Sequence, residues 1–324
     1  MTFSRRSALA GVAAAIAFPT LGRAESRSPI RVLVGFPPGG ATDAIARVVV
    51  DRLPGLLGQP VIVENRPGAG GRLAADAVLA APADGLTYMI APNATPTFLM
   101  LVPPQAVRWN ILKDFEPVAG IASYPLGMGV ALRVGAKTAP EFIDWVRRHP
   151  GQATVGSPGA GGQNAFLAVQ LATTTGIDLP VTPYKGSPPM ITDLVGGHIA
   201  SAISLMDGLM AHHRAGRVRV IGIFTPERSP LMPDIPTFAE QGIPVSSGEG
   251  WTAMWARAGT PAAEVQRVQD AVRRVLALPE VRERMEKALW VSPKFRDGAE
   301  TTRTQAAELA HWEPIIKASG FKAE

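Results

Sequence analysis

Beyond residue 25 the chain alternates short apolar runs with glycine-rich turns and longer amphipathic stretches. Ile30-Arg31-Val32-Leu33-Val34 has the length and branched content of a buried strand, and Gly35-Phe36-Pro37-Pro38-Gly39-Gly40 follows it, then a helical pattern over 42–50. Val61-Ile62-Val63 and Tyr88-Met89-Ile90-Ala91 read as further buried strands, with a helix over 76–80 between them. Strands alternating with helices predict a parallel sheet with helices on its faces. The same succession of strand, glycine loop and helix returns at 153–155, 156–162 and 164–173, which predicts a counterpart unit later in the chain.

Segments 126–132 and 251–256 are apolar without helical period, and are read as the extended stretches that carry the chain from the first unit to the second and back. Helices are predicted over 262–276 and 281–289. Val265, Val268, Val272, Val275 and Leu276 make one apolar stripe, and acids interleave with the arginines opposite, so the stripe packs on a lobe rather than lying on a membrane. Pro230, Pro233 and Pro236 exclude regular helix over 228–236 and predict a surface loop. No repeat of 20 to 50 residues is visible. The predicted division is a leader over 1–24, the first lobe over 25–128, the second over 129–249, and a return to the first over 250–324.

Composition sharpens this picture. A length of 324 residues favours two domains, and 46% hydrophobic against 18% charged residues describes a globular chain. Ser4-Arg5-Arg6, an apolar run from Ala8 to Phe18 and Gly22-Arg23-Ala24 have the three parts of an export signal, with cleavage expected after Ala24. Ser4 to Leu9 resembles the twin-arginine signal, with Ala8 where that motif carries phenylalanine; the general secretory route stays open. Cleavage removes Arg5, Arg6 and Arg23 and no acid, so the net charge falls from +5 to +2. With no basic tract left and 6% aromatics, the footprint of a nucleic-acid binder is missing. The chain has no cysteine, which excludes disulfides, thiolate catalysis and Cys-ligated metal.

The candidate chemistry lies in the two glycine loops. Phe36 to Asp43 ends at a helix N-terminus, where unpaired N–H groups suit an anion; the alternative is an ordinary turn capped by Thr42 or Asp43. Gly40-Ala41-Thr42 lacks the lysine of a phosphate-binding loop. Gly156-Ser157-Pro158-Gly159-Ala160-Gly161-Gly162-Gln163-Asn164 repeats the offer from the second unit, its alternative being a flexible surface loop. Two such loops closing on one carboxylate with three or four charge-assisted hydrogen bonds, at roughly 1.5 to 3 kcal/mol each, approach the roughly 8 kcal/mol of micromolar binding. Val155 and Gly159 around Ser157 break the nucleophile-elbow register. His149, His198, His212, His213 and His311 show no metal-ligand spacing, and Lys185 has no neighbour in sequence that would depress its pKa.

Taken together, residues 34–43, Gly58-Gln59-Pro60-Val61-Ile62-Val63-Glu64-Asn65-Arg66-Pro67-Gly68-Ala69-Gly70-Gly71, Ala81-Pro82-Ala83-Asp84-Gly85, Asp114-Phe115-Glu116-Pro117-Val118, Pro183-Tyr184-Lys185-Gly186-Ser187, Arg214-Ala215-Gly216 and Ala258-Gly259-Thr260-Pro261 closely resemble the Bordetella uptake gene receptors of tripartite tricarboxylate transporters. The resemblance spans essentially the whole chain after the leader. It implies a type II periplasmic-binding-protein fold, with two α/β lobes joined by crossover strands around a ligand cleft. It further implies a small carboxylate ligand, delivery to membrane transporter subunits, no metal or organic cofactor, and a monomer in the periplasm. Carried over by position, the ligand contacts are Phe36, Gly39, Gly40, Ala41, Thr42 and Asp43 from one lobe, and Ser157, Gly159, Gly161, Gly162, Gln163 and Asn164 from the other. Asn93, Tyr184, Ser204 and Asp207 complete the candidate set. Gly162-Gln163 stands where many relatives have Thr-Ser, and Ser204 and Ala200 stand where acids are frequent. The expected wall is therefore less acidic, and an ammonium-bearing ligand would need Asp43 or Asp207. An enzyme acting on a carboxylic acid, or a periplasmic sensor subunit, are the competing readings.

Overall fold

The computed structural model describes residues 28–101, 107–159, 162–245 and 249–319. The expected leader and Gly161 lie outside them. The strands are β1 (Ile30–Val34), β2 (Val61–Asn65), β3 (Thr87–Pro92), β4 (Phe115–Tyr124), β5 (Leu126–Ala131), β6 (Val155–Ser157), β7 (Val181–Pro183), β8 (Ser201–Leu205), β9 (Val218–Ile223), β10 (Gly250–Arg257) and β11 (Ser292–Arg296). The longer helices are α1 (Ala41–Val50), α2 (Arg72–Ala80), α3 (Ala139–Arg148), α4 (Gln163–Thr175), α5 (Ser187–Gly196), α6 (Met206–Arg214), α7 (Ala262–Ala277) and α8 (Gly298–Ser319).

Two sheets result, one ordered β11-β4-β10-β3-β1-β2 and the other β7-β6-β8-β5-β9. Strands β2-β1-β3 and β7-β6-β8 are parallel, each built by helical crossovers, as the alternating pattern predicts. The rest of each sheet departs from the parallel expectation: β10 runs antiparallel to β3 and β4, and β5 runs antiparallel to β8 and β9. Local alternation cannot reveal this, because those partners are distant in sequence. The extended segments at 126–132 and 251–256 are each a strand of a single sheet rather than a bridge. The chain changes sheet at Pro125, between β4 and β5, where a residue without an N–H cannot continue a ladder.

The cores follow from the same pattern. Val32, Val34, Ile90 and Met254 are sealed on the first sheet, under Ile45, Val48 and Val49 of α1. Met128, Val130, Ile203 and Val220 are likewise sealed on the second, where Leu194 and Leu209 cover the face that Gly129 presents. Each such side chain contributes about 1.5 to 3 kcal/mol of burial, so the frame behind the loops is stiff. The predicted 262–276 helix forms as α7 with Val268, Val272 and Val275 inward. The 281–289 helix instead divides into a short turn, Pro279–Glu283, and a wider one, Arg284–Ala288.

Candidate functional site

In both sheets the middle parallel strand is the point where strand order reverses: β1 has β2 and β3 on its two sides, and β6 has β7 and β8. Helices leave such a strand on opposite faces and open a crevice beyond its carboxyl end. The two glycine loops occupy those two crevices. In the first, a Cβ on Gly35 would collide with the Cα of Gly71, so only glycine lets the loop lie against the turn at 69–71. Gly40 is the N-cap of α1, with no side-chain cap, so neither Thr42 nor Asp43 plays the capping part.

Asp43 holds the loop instead. Its carboxylate accepts from the Gly39 N–H (3.0 Å), Arg47 Nε (2.9 Å) and Asn65 Nδ2 (2.8 Å), and Asn65 Nδ2 also donates to the Phe36 carbonyl (3.1 Å). Burial works to raise its pKa, but the hydrogen bonds from Arg47, Asn65 and Gly39 outweigh it and hold the carboxyl below its ordinary range.

The second loop is pinned in a similar way. The Ser157 hydroxyl donates to Gly159 O (2.8 Å), the Tyr184 N–H to Ser157 O (2.8 Å) and the Gly186 N–H to Pro158 O (3.1 Å). Gly162 is the N-cap of α4, again without a side-chain cap. Asn164 Nδ2 donates to Ile203 O (3.0 Å), anchoring the first turn of α4 to β8.

Between the loops lies a cavity of about 260 Å³. Of the candidate residues, Phe36, Gly40, Ala41, Thr42, Asn93, Ser157, Gly159, Gly162, Gln163 and Asn164 line it. Gly39, Asp43, Tyr184, Ser204 and Asp207 do not. Gly39 and Asp43 are turned into their own network. The Tyr184 hydroxyl donates to Asp193 Oδ2 (2.7 Å); burial, helped by that carboxylate, pushes the phenol up to about 12. Ser204 is buried behind the wall, 3.4 Å from the Ser187 hydroxyl. Asp207 sits in the first turn of α6, where burial raises its pKa against backbone N–H groups that pull it down.

Sequence reasoning missed much of the wall. Ala69, Gly70, Gly186 and Ser187 belong to the family motifs and had that signal. Tyr124, Leu126 and Leu205 are strand-end residues, indistinguishable in sequence from core. The first residues of α5, Ser187 and Pro188, and the N-cap of α6, Leu205, stand in the wall beside the first turns of α1 and α4. Four helix N-termini thus surround one space, while no Asp, Glu, Lys, Arg or His lines it among the described residues. That arrangement places positive partial charge around an anion without a basic side chain.

Behind the wall, Asn93 joins the two sheets. Its Nδ2 donates to Gln163 Oε1 (3.0 Å), at the start of α4, and also to Glu308 Oε1 on α8. Thr97 Oγ1 donates to Glu308 Oε2 (2.7 Å). Burial raises the Glu308 carboxyl to about 7, with the hydrogen bonds from Thr97 and Asn93 moderating the shift. Beside this network Phe98 stacks on Phe166 of α4 (5.4 Å between centroids), and Trp312 of α8 meets Phe98 edge-on (5.2 Å). Neither Glu308 nor Trp312 was singled out in the sequence.

The sequence profile of the tripartite tricarboxylate transporter family receptor matches residues 45–321. Protein BugT of Bordetella pertussis is 30% identical over 325 residues, covering 99% of each chain. The structure of Rpa4515 from R. palustris with adipate has a TM-score of 0.86 at 28% identity, over 91% of this chain and 98% of that one. MatC (Rpa3494) from Rhodopseudomonas palustris, with bound malate, has a TM-score of 0.82 at 29% identity, over 89% and 98%.

Proposed function

This chain belongs to the tripartite tricarboxylate transporter receptor family, and from that premise we propose that it is an exported receptor that captures a small carboxylate-bearing molecule between its two lobes and delivers it to a membrane transporter. The lobes divide at Pro125 and between β9 and β10, and the protein works as a monomer in the periplasm. Rpa4515 and MatC, of the same fold and with adipate and malate bound, support a carboxylate as the ligand.

The observation that carries the reading is the pair of uncapped helix N-termini, α1 and α4, set at the order-reversal strand of each sheet and lining the same cavity. Neutral N–H donors hold a carboxylate by hydrogen bonds alone, without forming a covalent bond to it, which is what a receptor that must release its cargo requires. The Ser157 hydroxyl, the one nucleophile of the second loop, donates to its own backbone rather than resting on a base.

The test is native purification after periplasmic extraction, mass spectrometry of the released small molecules, and calorimetry with the molecule found. A co-purifying carboxylate that binds one-to-one and is recovered unchanged supports the receptor. Recovery of a chemically altered product at a rate that persists through repurification would replace it with the enzyme reading.

A further inference from the structure

Resting on the receptor reading, we propose that Glu308 of α8 is a positioning residue for ligand capture, acting through Asn93, and that capture of an anionic ligand places a proton on its carboxylate. Asn93 lines the cavity and is 2% exposed; its Nδ2 gives one hydrogen to Gln163 Oε1 of the second lobe (3.0 Å) and the other to Glu308 Oε1. The carboxylate fixes that orientation, because a turned-over amide would set Oδ1 against it and lose Gln163 as well. As placed, Oδ1 faces the Trp251 N–H (3.4 Å). Glu308 thereby sets the bond by which Asn93 reaches the first turn of α4, whose uncapped start lines the cavity.

Asn93 is the side chain between this carboxylate and the cavity. A ligand carboxylate held at the starts of α1 and α4 therefore meets a like charge through protein, where screening is weak, and the group with the higher pKa takes up a proton. Burial holds Glu308 at about 7, against hydrogen bonds from Thr97, Asn93 and the Trp251 indole that pull it down. The added proton breaks no contact: Oε1 keeps Asn93, and the Thr97 hydroxyl, which donates to Oε2 (2.7 Å), turns to accept.

Few other groups act on Glu308. From β11, Arg296, 7% exposed, draws it down; from β4, Tyr124 faces it, its phenol pushed up chiefly by burial and further by the Glu308 charge. Asp114 accepts from the Asn110 N–H, while Lys113, Glu116, Arg257 and Lys294 on the neighbouring elements, and Glu300, Arg303, His311 and Glu313 on α8, are exposed. The rival is Asp207, also raised by burial, but it accepts from N–H groups of its own turn and does not line the cavity.

Calorimetry counts the proton. Hexanoate, benzoate and malate, ionised above about pH 6.5, are titrated into protein stripped of co-purified ligand by denaturation and refolding, in phosphate and in Tris, whose ionisation heats differ. With the tightest binder at about pH 7, wild type should take up roughly 0.3 to 0.5 of a proton. Its affinity should fall about fourfold from about pH 6.5 to about pH 8, as for a pKa raised one unit on binding. Glu308→Gln keeps an acceptor for Asn93 and cannot ionise, so it should bind without that uptake and with a flat profile; any share from solvated histidines is common to both proteins. Thr97→Val, which removes a donor to the same carboxylate, should move the uptake maximum to higher pH. Buffer-independent heats in wild type would overturn the inference and leave the receptor standing. Uptake undiminished in Glu308→Gln, unmoved in Thr97→Val or abolished by Asp207→Asn would overturn it too. Binding of none of the acids, by a protein whose circular dichroism matches the unstripped form, would bring down the receptor reading and this inference with it.

Discussion

At the scale of single residues, the decisive side chains are those whose hydrogen bonds cross between sheets. Gln163 accepts from Asn93 at 3.0 Å, and its Nε2 is buried without a hydrogen-bond partner in the protein. Gln163→Ala removes both, and calorimetry should show ligand affinity reduced by roughly 1 to 2 kcal/mol, about tenfold, with an unchanged thermal melt of the unliganded protein to within a few degrees. Glu308 makes a separate prediction about pH. Its folded-state pKa, about 7, lies above the ordinary 4.5, so between those values the folded protein binds the proton that the unfolded chain has lost. Its contribution is fully present below about 4.5 and is lost as pH rises toward about 7, a change on the order of 3 kcal/mol at most. Asp207, also raised, acts in the same direction, whereas Asp43, held low, gains stability as pH rises above its folded value. The clean reading is thus a difference: urea melts across that pH window should slope less steeply for Glu308→Gln than for wild type. Equal slopes would remove Glu308 from the account.

At the scale of elements, the functional units are loop and helix start together. Gly162 has φ −102°, open to any residue, and a Cβ there would sit 3.6 Å from the Cβ of Ala94 across the cleft, an ordinary contact. Gly162→Ala should therefore fold and close, whereas Gly162→Val sends branched carbons into the space beside Ala94 and should abolish detectable binding while circular dichroism stays parental. Gly40 offers the matching test on α1, since a Cβ there meets only Pro37 O, at 3.3 Å; Gly40→Val should fold and lose binding. Thr42→Ala, which leaves the backbone donors of the same turn in place, should cost no more than about 0.5 to 1.5 kcal/mol of affinity. Parental affinity in both valine variants would move the ligand elsewhere. The strand, glycine loop and helix units were legible from pattern alone because their signals are local: β-branched runs, glycine at the turn, an apolar period after it. The antiparallel insertions of β5 and β10 were not, since each is a plain apolar run whose partners lie far along the chain.

For the whole molecule, the two sheets are held against each other on one side of the cleft by Asn93 with Gln163 and by Phe98, Phe166 and Trp312, all three aromatics at most 1% exposed. On the loop side, Gly186 approaches Pro37 across the mouth. A ligand that touches both lobes favours their closure by differential contact. Saturating ligand should raise the melting temperature and reduce the radius of gyration seen by small-angle scattering. Phe166→Ala removes one ring from the cluster and should cost about 3 to 5 kcal/mol, felt chiefly in the closed state. Its signature is an unliganded protein more expanded than wild type together with weaker ligand binding. A radius of gyration identical to wild type in both states would show that the cluster stabilises a lobe and not the closure.

What the sequence determined by itself was everything that depends on neighbours along the chain: the strand and helix units, the two glycine loops, and, through motifs spread over the whole length, the family and its fold. Nine of the candidate residues reach the cavity because loop and helix start are contiguous, so placing one places the rest. Tertiary structure alone decided the remainder. Whether Asp43 met ligand or Arg47 and Asn65 depended on where β2 brought Asn65, and whether Tyr124, Leu126 and Leu205 were core or wall depended on how two sheets abut. Glu308 and Trp312 join the cleft from more than 200 residues beyond Asn93 and Phe98. Such contacts are set by the packing of whole layers, and packing is a property of shape in three dimensions, which the period of apolar positions along one dimension does not encode.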